Sequence, residues 1–248
     1  TWKAKQVGIN IGTLSALIQA GAISEDGESR SKLVLEAQLF NLLTAREKRN
    51  CIARGPTYDY DLISFIKDCL GDGLIADDGK PLIKESRYET IKKKYTPYLQ
   101  IYNLNKKSEK FANWFFEKSL LGYSYSHKLK DVFSATYAQL KDSAFFNSSQ
   151  PRTRASFIGV SGDVHEGKSR GGNNYVKFSL QDDVGSFDIL FMDNRNQRRL
   201  SEYISSGKKL PSKDSIIVVN GSKGEDVLFA DSVSLVDQKI YMRLQEVK

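Results

Sequence analysis

Tyr175-Val176-Lys177-Phe178-Ser179-Leu180-Gln181-Asp182-Asp183-Val184-Gly185-Ser186-Phe187-Asp188-Ile189-Leu190-Phe191 is the stretch that decides how the second half of this chain folds. Val176, Phe178 and Leu180 alternate with Tyr175, Lys177 and Ser179, and Phe187, Ile189 and Phe191 alternate with Ser186, Asp188 and Leu190. Side chains of a strand point alternately to opposite faces, so this period of two predicts two strands, each with one buried face. Asp182-Asp183-Val184-Gly185 supplies a tight turn and joins them as a hairpin.

The same period continues outward. Ile158, Val160 and Val164 alternate with Phe157, Gly159 and Ser161; Ile216 to Asn220 and Val227 to Leu235 supply two more strands around Gly221-Ser222-Lys223-Gly224. Arg195 to Ile204 reads as a short helix between the third and fourth strands. Five strands with that helix, in about 85 residues, are the layout of an OB-fold barrel. Before Pro151 the period is helical, so the class is α+β. Leu14, Leu17 and Ile18 follow helical spacing up to Gly21. Ser29 and Ser31 can cap a second helix through Leu33, Val34, Ala37, Phe40 and Leu43 to about Arg49. Residues 51–107 mix helix and turn signals, with Pro97 expected to break the helix after Tyr95. Ser108 can cap a helix over Glu109–Leu121, and a further helix from about Lys128 to Asp142 leads to Asn147-Ser148-Ser149-Gln150-Pro151, which reads as a linker. The expected organisation is 1–50 helical, 51–107 mixed and basic, 108–150 a helical connector, 151–236 the barrel and 237–248 a tail.

The chain has 248 residues and a formal charge of +7, with 22 basic against 17 acidic residues up to Gln150 and 15 against 13 after it. Lys84, Arg87, Lys92, Lys93, Lys94, Lys106, Lys107 and Lys110 lie in one stretch, opposed only by Glu85, Glu89 and Glu109 and interleaved with Tyr88, Tyr95, Tyr98 and Tyr102. Cations attract phosphate regardless of sequence and aromatic faces stack on unpaired bases, so the mixture favours nucleic acid. The other reading is a solvated helix face whose tyrosines pack inward. Two cysteines (Cys51, Cys69) and two histidines (His127, His165) exclude a disulfide framework and leave a zinc site short of ligands. No apolar run reaches the ~18 residues of a membrane span and Thr1-Trp2-Lys3 opens no signal peptide, so a soluble, cytoplasmic protein is expected, its start at Thr1 pointing to a fragment.

Gly162-Asp163-Val164-His165-Glu166-Gly167-Lys168-Ser169 matches G-x-x-x-x-G-K-S, the phosphate-cradling loop of nucleotide hydrolases, and Asp193 after Ile189-Leu190-Phe191-Met192 mimics its magnesium ligand. That chemistry needs a helix opening at the Lys-Ser, whereas here Arg170-Gly171-Gly172-Asn173-Asn174 and a strand follow. The better use is a flexible loop between the first two strands, with Lys168 and Arg170 reaching for phosphates. Nucleophilic catalysis lacks a G-x-S-x-G, and His127 reads as a packed or capping residue. Asp59 with Asp61, or Asp77 with Asp78, could ligate magnesium but read as solvated turns. No catalytic residue, metal or cofactor is assigned. On the barrel, Phe157, Tyr175 and Lys177 are expected on the outer face, flanked by Lys168, Arg170 and Lys223, where OB-folds bind single strands. The alternative is that Phe157 and Tyr175 pack against the preceding helical segment.

Three stretches resemble one family, the catalytic alpha subunit of bacterial DNA polymerase III, in the region after its fingers. Ile9-Asn10-Ile11-Gly12-Thr13-Leu14-Ser15-Ala16-Leu17-Ile18-Gln19-Ala20-Gly21-Ala22-Ile23 resembles V-N-x-x-x-L-E-x-L-I-K-A-G-A-F at the end of its helix-hairpin-helix. Glu117-Lys118-Ser119-Leu120-Leu121-Gly122-Tyr123-Ser124-Tyr125-Ser126-His127-Lys128-Leu129 is similar to E-K-E-x-L-G-F-Y-x-S-G-H-P-L, one residue shorter, lacking the Gly before His and with Lys128 in place of Pro. Phe178 through Phe191 resembles F-x-x-L-x-D-x-x-G-x-x-x-x-x-x-F. The resemblance implies the non-catalytic back end of a replicative polymerase, bacterial or phage-encoded, whose palm aspartates lie upstream. It implies duplex binding by the helix-hairpin-helix, single-strand binding by the barrel, and partners among the sliding clamp and other replisome proteins, with no membrane. Gln38-Leu39-Phe40 echoes a clamp-binding peptide but falls in the helical apolar pattern. Lys92, Lys93 and Lys94 are the candidates for duplex backbone, and Lys168, Arg170, Tyr175, Lys177, Lys223 and Phe157 for single strands. The alternative function is a free-standing OB-fold protein of replication or repair that binds single strands.

Overall fold

A computed structural model describes residues 8–236, apart from 26, 72, 77, 195 and 196. The tail after Val236, Asp77 and the first residue expected of the helix from Arg195 lie outside the described residues. The chain divides into two units, at Gly122 and Tyr123.

In the first unit, α1 (Ile11–Gln19) begins where the Asn10 carboxamide oxygen accepts the Gly12 N–H at 2.7 Å, and α2 (Arg30–Leu42) where the Ser29 hydroxyl accepts Lys32 N–H. Leu14 and Ile18 of α1 meet Leu33, Val34 and Ala37 of α2 in one apolar cluster. The second helix does not run to Arg49. Leu43 turns extended and Thr44 restarts the chain as α3 (Ala45–Arg54) through a reciprocal capping box with Glu47. A single-turn 3₁₀ helix, Gly55–Tyr58, leads to α4 (Leu62–Gly71), followed by a turn bridged at Ile75 and Pro81.

α5 (Glu85–Lys107) runs unbroken through Pro97. Proline removes one backbone donor and crowds the preceding turn. Here the Thr96 hydroxyl donates to the Lys92 carbonyl at 2.8 Å within that turn, and Ile91 and Ile101 on either side of Pro97 are buried. Ile91, Leu35, Leu39, Phe65, Ile66 and Leu82 form a second cluster in which Cys51 and Cys69 are buried, their thiols pushed up to about 12 by desolvation. Leu39 and Phe40, the clamp-peptide echo, are core residues there. α6 (Glu109–Leu121) starts without a side-chain cap from Ser108 and ends at Gly122, whose φ of 86° is the left-handed C-cap. Arg30 of α2 reaches Glu117 of α6 at 2.5 Å, a carboxylate with no solvent exposure.

The second unit is the barrel with its lead-in. The expected Lys128–Asp142 helix is one turn only, α7 (Leu129–Val132), followed by turns, the short strand β1 (Leu140–Lys141) and α8 (Ser143–Ser148). Asp182 explains this. Its carboxylate accepts Val184 and Gly185 N–H within the predicted hairpin turn and Ser143 N–H at the start of α8, while Asp183 accepts Leu129 N–H at 2.5 Å. Two neighbouring aspartates thus staple the lead-in to the turn.

Strands β2 (Arg154–Ser161), β3 (His165–Lys168), β4 (Asn174–Gln181), β5 (Ser186–Met192), β6 (Ile216–Lys223) and β7 (Val227–Leu235) follow, with α9 (Arg199–Ser205) between β5 and β6. The order β2-β6-β7-β5-β4 closes through the β2–β4 pairs Val160 with Gln181 and Ser161 with Leu180. Only β5 and β7 of this ring run parallel. This is a closed five-stranded OB-fold barrel. Val176, Phe178, Leu180, Phe187, Ile189 and Phe191 all point into its core, and α9 contributes Leu200 and Tyr203.

Candidate nucleic-acid interface

The outer face of β3, β4, β5 and β7 is set by strand alternation and register. Because Val176 and Phe178 are buried, Tyr175 and Lys177 face outward; because Ile189 and Phe191 are buried, Leu190 and Met192 do. Tyr175 pairs with Gly167 on one side and Met192 on the other, and the next row is His165, Lys177, Leu190 and Phe229. Phe229 is 43% exposed and stands beside Leu190, so the two make a continuous apolar part of this face.

Both aromatic rings use a glycine for room. A β-carbon on Gly167 would stand 2.8 Å from Tyr175 Cζ, and one on Gly224 would stand 2.7 Å from Phe229 Cε2. Each ring therefore lies against bare backbone that any other residue would occupy. The G-x-x-x-x-G-K-S match is not a mobile loop. Its His165–Lys168 segment is β3, paired to β4 through a tight turn in which Ser169 N–H donates to Asn173 O and the Ser169 hydroxyl accepts Asn173 N–H. Lys168 and Arg170 are exposed on this hairpin, near its tip.

Lys177 Nζ lies 2.7 Å from Asp188 across β4 and β5, and that hydrogen bond raises the ammonium pKa above its ordinary value. The face thus carries Tyr175, Leu190, Met192 and Phe229 with Lys177, for which one carboxylate competes. Lys168 pairs with Asn174 and so points to the opposite side of the hairpin from Tyr175, and Arg170 lies in the turn.

Two expected members of the site are structural instead. Phe157 is 2% exposed and packs edge-on against Phe146 and Phe187, because β2 is covered on both sides and turns Phe157, paired with Val219, into the core. Lys223 is the last residue of β6 and is 9% exposed. Its Nζ donates to the carbonyls of Phe146 at 2.5 Å, Asn147 at 3.2 Å and Ser149 at 2.7 Å. Phe146 O also accepts a long hydrogen bond from Ser149 N–H at 3.4 Å, while Asn147 and Ser149 lie where α8 runs out, and a cation is the natural cap for such carbonyls. The expected linker at 147–151 is therefore clamped to the barrel.

In the first unit Lys92, Lys93 and Lys94 are exposed on α5, whereas Tyr88, Tyr95, Tyr98 and Tyr102 pack against the helical core. The interleaved aromatics are the inner face of an amphipathic helix, not a stacking surface. Asp61 is used locally, accepting Ile63 and Ser64 N–H at the start of α4; Asp59 sits at the left-handed end of the 3₁₀ turn. Phe229 was not among the expected site residues. Its signal is present in the sequence, an aromatic between the apolar Leu228 and Ala230 at an outward position, but only the β5–β7 register brings it beside Leu190.

No protein-family model matches the chain, and no curated protein matches it in sequence. Solved structures similar to part of it include the mitochondrial single-stranded DNA binding protein Rim1 of S. cerevisiae, with 16% identity over 36% of this chain and 98% of that one, at a TM-score of 0.28. The second OB-fold domain of replication protein A from Methanococcus maripaludis is 12% identical over 40% of this chain and 97% of that one, at 0.28. Yeast Stn1 and Ten1 give 9% identity over 35% of this chain and 44% of that one, at 0.29.

Proposed function

We propose that the barrel binds single-stranded DNA without sequence preference on the outer face of β3, β4, β5 and β7. Bases stack on Tyr175 and Phe229 over the apolar floor of Leu190 and Met192, and phosphates are drawn to Lys177 on the face and to Arg170 at the hairpin tip. The observation that carries this reading is the pair of outward rings, each lodged against a glycine, on a face that also presents the exposed Lys177. Stacking on such rings is worth about 1–3 kcal/mol per base and tolerates any sequence, since every base has a π-face. Titration of the chain with an oligothymidylate at several salt concentrations tests it. Affinity falls as salt rises, with a slope of about 0.7 per phosphate engaged; a salt-independent affinity overturns the reading.

The finer assignment, to the DNA-holding back end of a polymerase III alpha-like subunit, rests on the sequence resemblance. Its structural support is that Lys92, Lys93 and Lys94 stand exposed and available to duplex phosphates. Under that assignment a triple Lys→Gln variant at these positions loses duplex affinity and keeps single-strand affinity; under the free-standing alternative it changes neither.

A further inference from the structure

The row that holds His165, Lys177, Leu190 and Phe229 does not stop at the stacking face. Phe229 pairs with Ser222 of β6, and Ser222 with Arg154 of β2, so the row continues round the barrel for two more strands, about 10 Å. There it meets an open groove of about 270 Å³, lined by Lys141, Arg154, Ser156, Asn220 and Asp231 among others. That volume approaches the lower end of small-ligand sites, about 300 Å³.

A bulge shapes this groove. Asn220 pairs with Ser232 and Gly221 with Ala230, which leaves Asp231 as the extra residue of β7 and re-aims its carboxylate. Asp231 pairs with Arg199 of α9 and, at 3.5 Å, with Arg154, whose Nε also donates to the Ser222 hydroxyl at 3.3 Å. One carboxylate thus steadies two guanidinium groups and neutralises only one of them. The Arg154 side chain keeps 72% exposure, so most of its donors are free for another acceptor, and Lys141 adds a second cation at the rim. The floor is polar: the Ser156 hydroxyl donates to the Asn220 carboxamide oxygen, and Asn220 Nδ2 donates to the Ser232 hydroxyl at 2.9 Å.

We propose that this groove is a second nucleotide subsite, taking the sugar-phosphate that continues the strand beyond the base on Phe229. Arg154 and Lys141 engage its phosphate, and the Ser156, Asn220 and Ser232 row lies under its sugar. A guanidinium held by a carboxylate on one side presents its remaining N–H groups in a fixed fork, the geometry that suits phosphate. The inference rests on the reading of the outer face as a single-strand interface and extends its path to a side that the stacking residues do not cover.

The full chain is titrated with a trinucleotide and a decanucleotide of thymidylate over a salt series, as wild type, Lys141→Gln, and Arg154→Gln with Lys141→Gln. Lys141 Nζ stands 5.2 Å from the centre of the Phe145 ring and, among the described residues, forms no ion pair with Asp231, so its single variant leaves the ion pairs of the bulge in place. For the decanucleotide the salt slope falls by about 0.7 in the double variant, which loses the phosphate contact, and by less in the single, which keeps Arg154 on it, with roughly tenfold weaker binding in the double at low salt. The trinucleotide, which occupies the stacking face alone, binds all three proteins equally. Unchanged decanucleotide slopes, or equal losses with both lengths, overturn the subsite while the stacking face stands. A wild type that binds neither oligonucleotide overturns the stacking face and the subsite with it.

Discussion

Tyr175 lies against Gly167 of the neighbouring strand so closely that a single methyl group there would stand 2.8 Å from the ring. The glycine is the space the ring occupies. Gly167→Ala is therefore expected to dislodge Tyr175 while sparing the fold, since the displaced atoms are the far end of a flexible side chain and strand glycines are themselves weak points. Single-strand affinity should fall about tenfold or more, the worth of one lost stack of about 1–3 kcal/mol, with the melting temperature nearly unchanged. Unaltered affinity would take Tyr175 out of the interface.

Lys177 and Asp188 make the opposite case, an ion pair whose removal improves binding. Asp188 competes with phosphate for the Lys177 ammonium and adds a negative charge to the face. Asp188→Asn should tighten oligonucleotide binding several-fold at low salt, with the gain shrinking as screening rises. Fluorescence anisotropy at two ionic strengths checks both halves of that statement.

Lys223 separates folding from binding. Replacing it with Met keeps the buried stem and leaves the carbonyls of Phe146, Asn147 and Ser149 without their shared donor. Stability of the barrel should drop by about 2–4 kcal/mol in urea titration, since each orphaned buried polar group costs about 1–3 kcal/mol. The salt slope of DNA binding by the folded variant should equal that of the wild type.

Glu36 ties stability of the helical unit to pH. It is 5% exposed, accepts Leu62 N–H at 3.3 Å, and burial raises its pKa to about 7 from an ordinary 4.5. Between those values the native state holds a proton that the unfolded chain has released. The native state is therefore favoured at low pH, and stability falls as pH rises from about 4.5 to about 7. Glu36→Gln keeps an acceptor for Leu62 without the charge. It should flatten that segment of the stability profile and leave the variant more stable at pH 8, by up to ~3 kcal/mol. A parallel profile for both proteins would mean that Glu36 is solvated when ionised.

The hairpin from Tyr175 to Phe191 was legible because each of its strands has one dry face, and a period of two then reports direction as well as type. The same rule fails at Phe157 and Ile158. Both faces of β2 are covered there, so apolar residues stand on either side and alternation cannot say which one enters the barrel. Lys223 escaped for a related reason: a lysine in a Gly-Ser-Lys-Gly turn pattern reads as solvated, and only the end of α8 packed beneath it makes its burial favourable. Pro97 reads as a break because local geometry disfavours it, whereas α5 gains more from packing Ile91, Ile101 and its tyrosines than one missing donor costs. The site itself was half visible. Tyr175 and Lys177 follow from the strand pattern, whereas Lys168 ends β3 paired with Asn174 and points away from them, and Phe229 joins them only through a parallel pairing between β5 and β7 that no local pattern encodes.

The stacking face is tested most directly by amide chemical-shift mapping of the full chain with an oligothymidylate at low salt. Shifts concentrated on His165, Gly167, Tyr175, Lys177, Leu190, Met192 and Phe229 are the predicted result, with ring-proton contacts from Tyr175 and Phe229 to bases. Shifts confined to the lysines of α5, or none on β3, β4, β5 and β7, would contradict it.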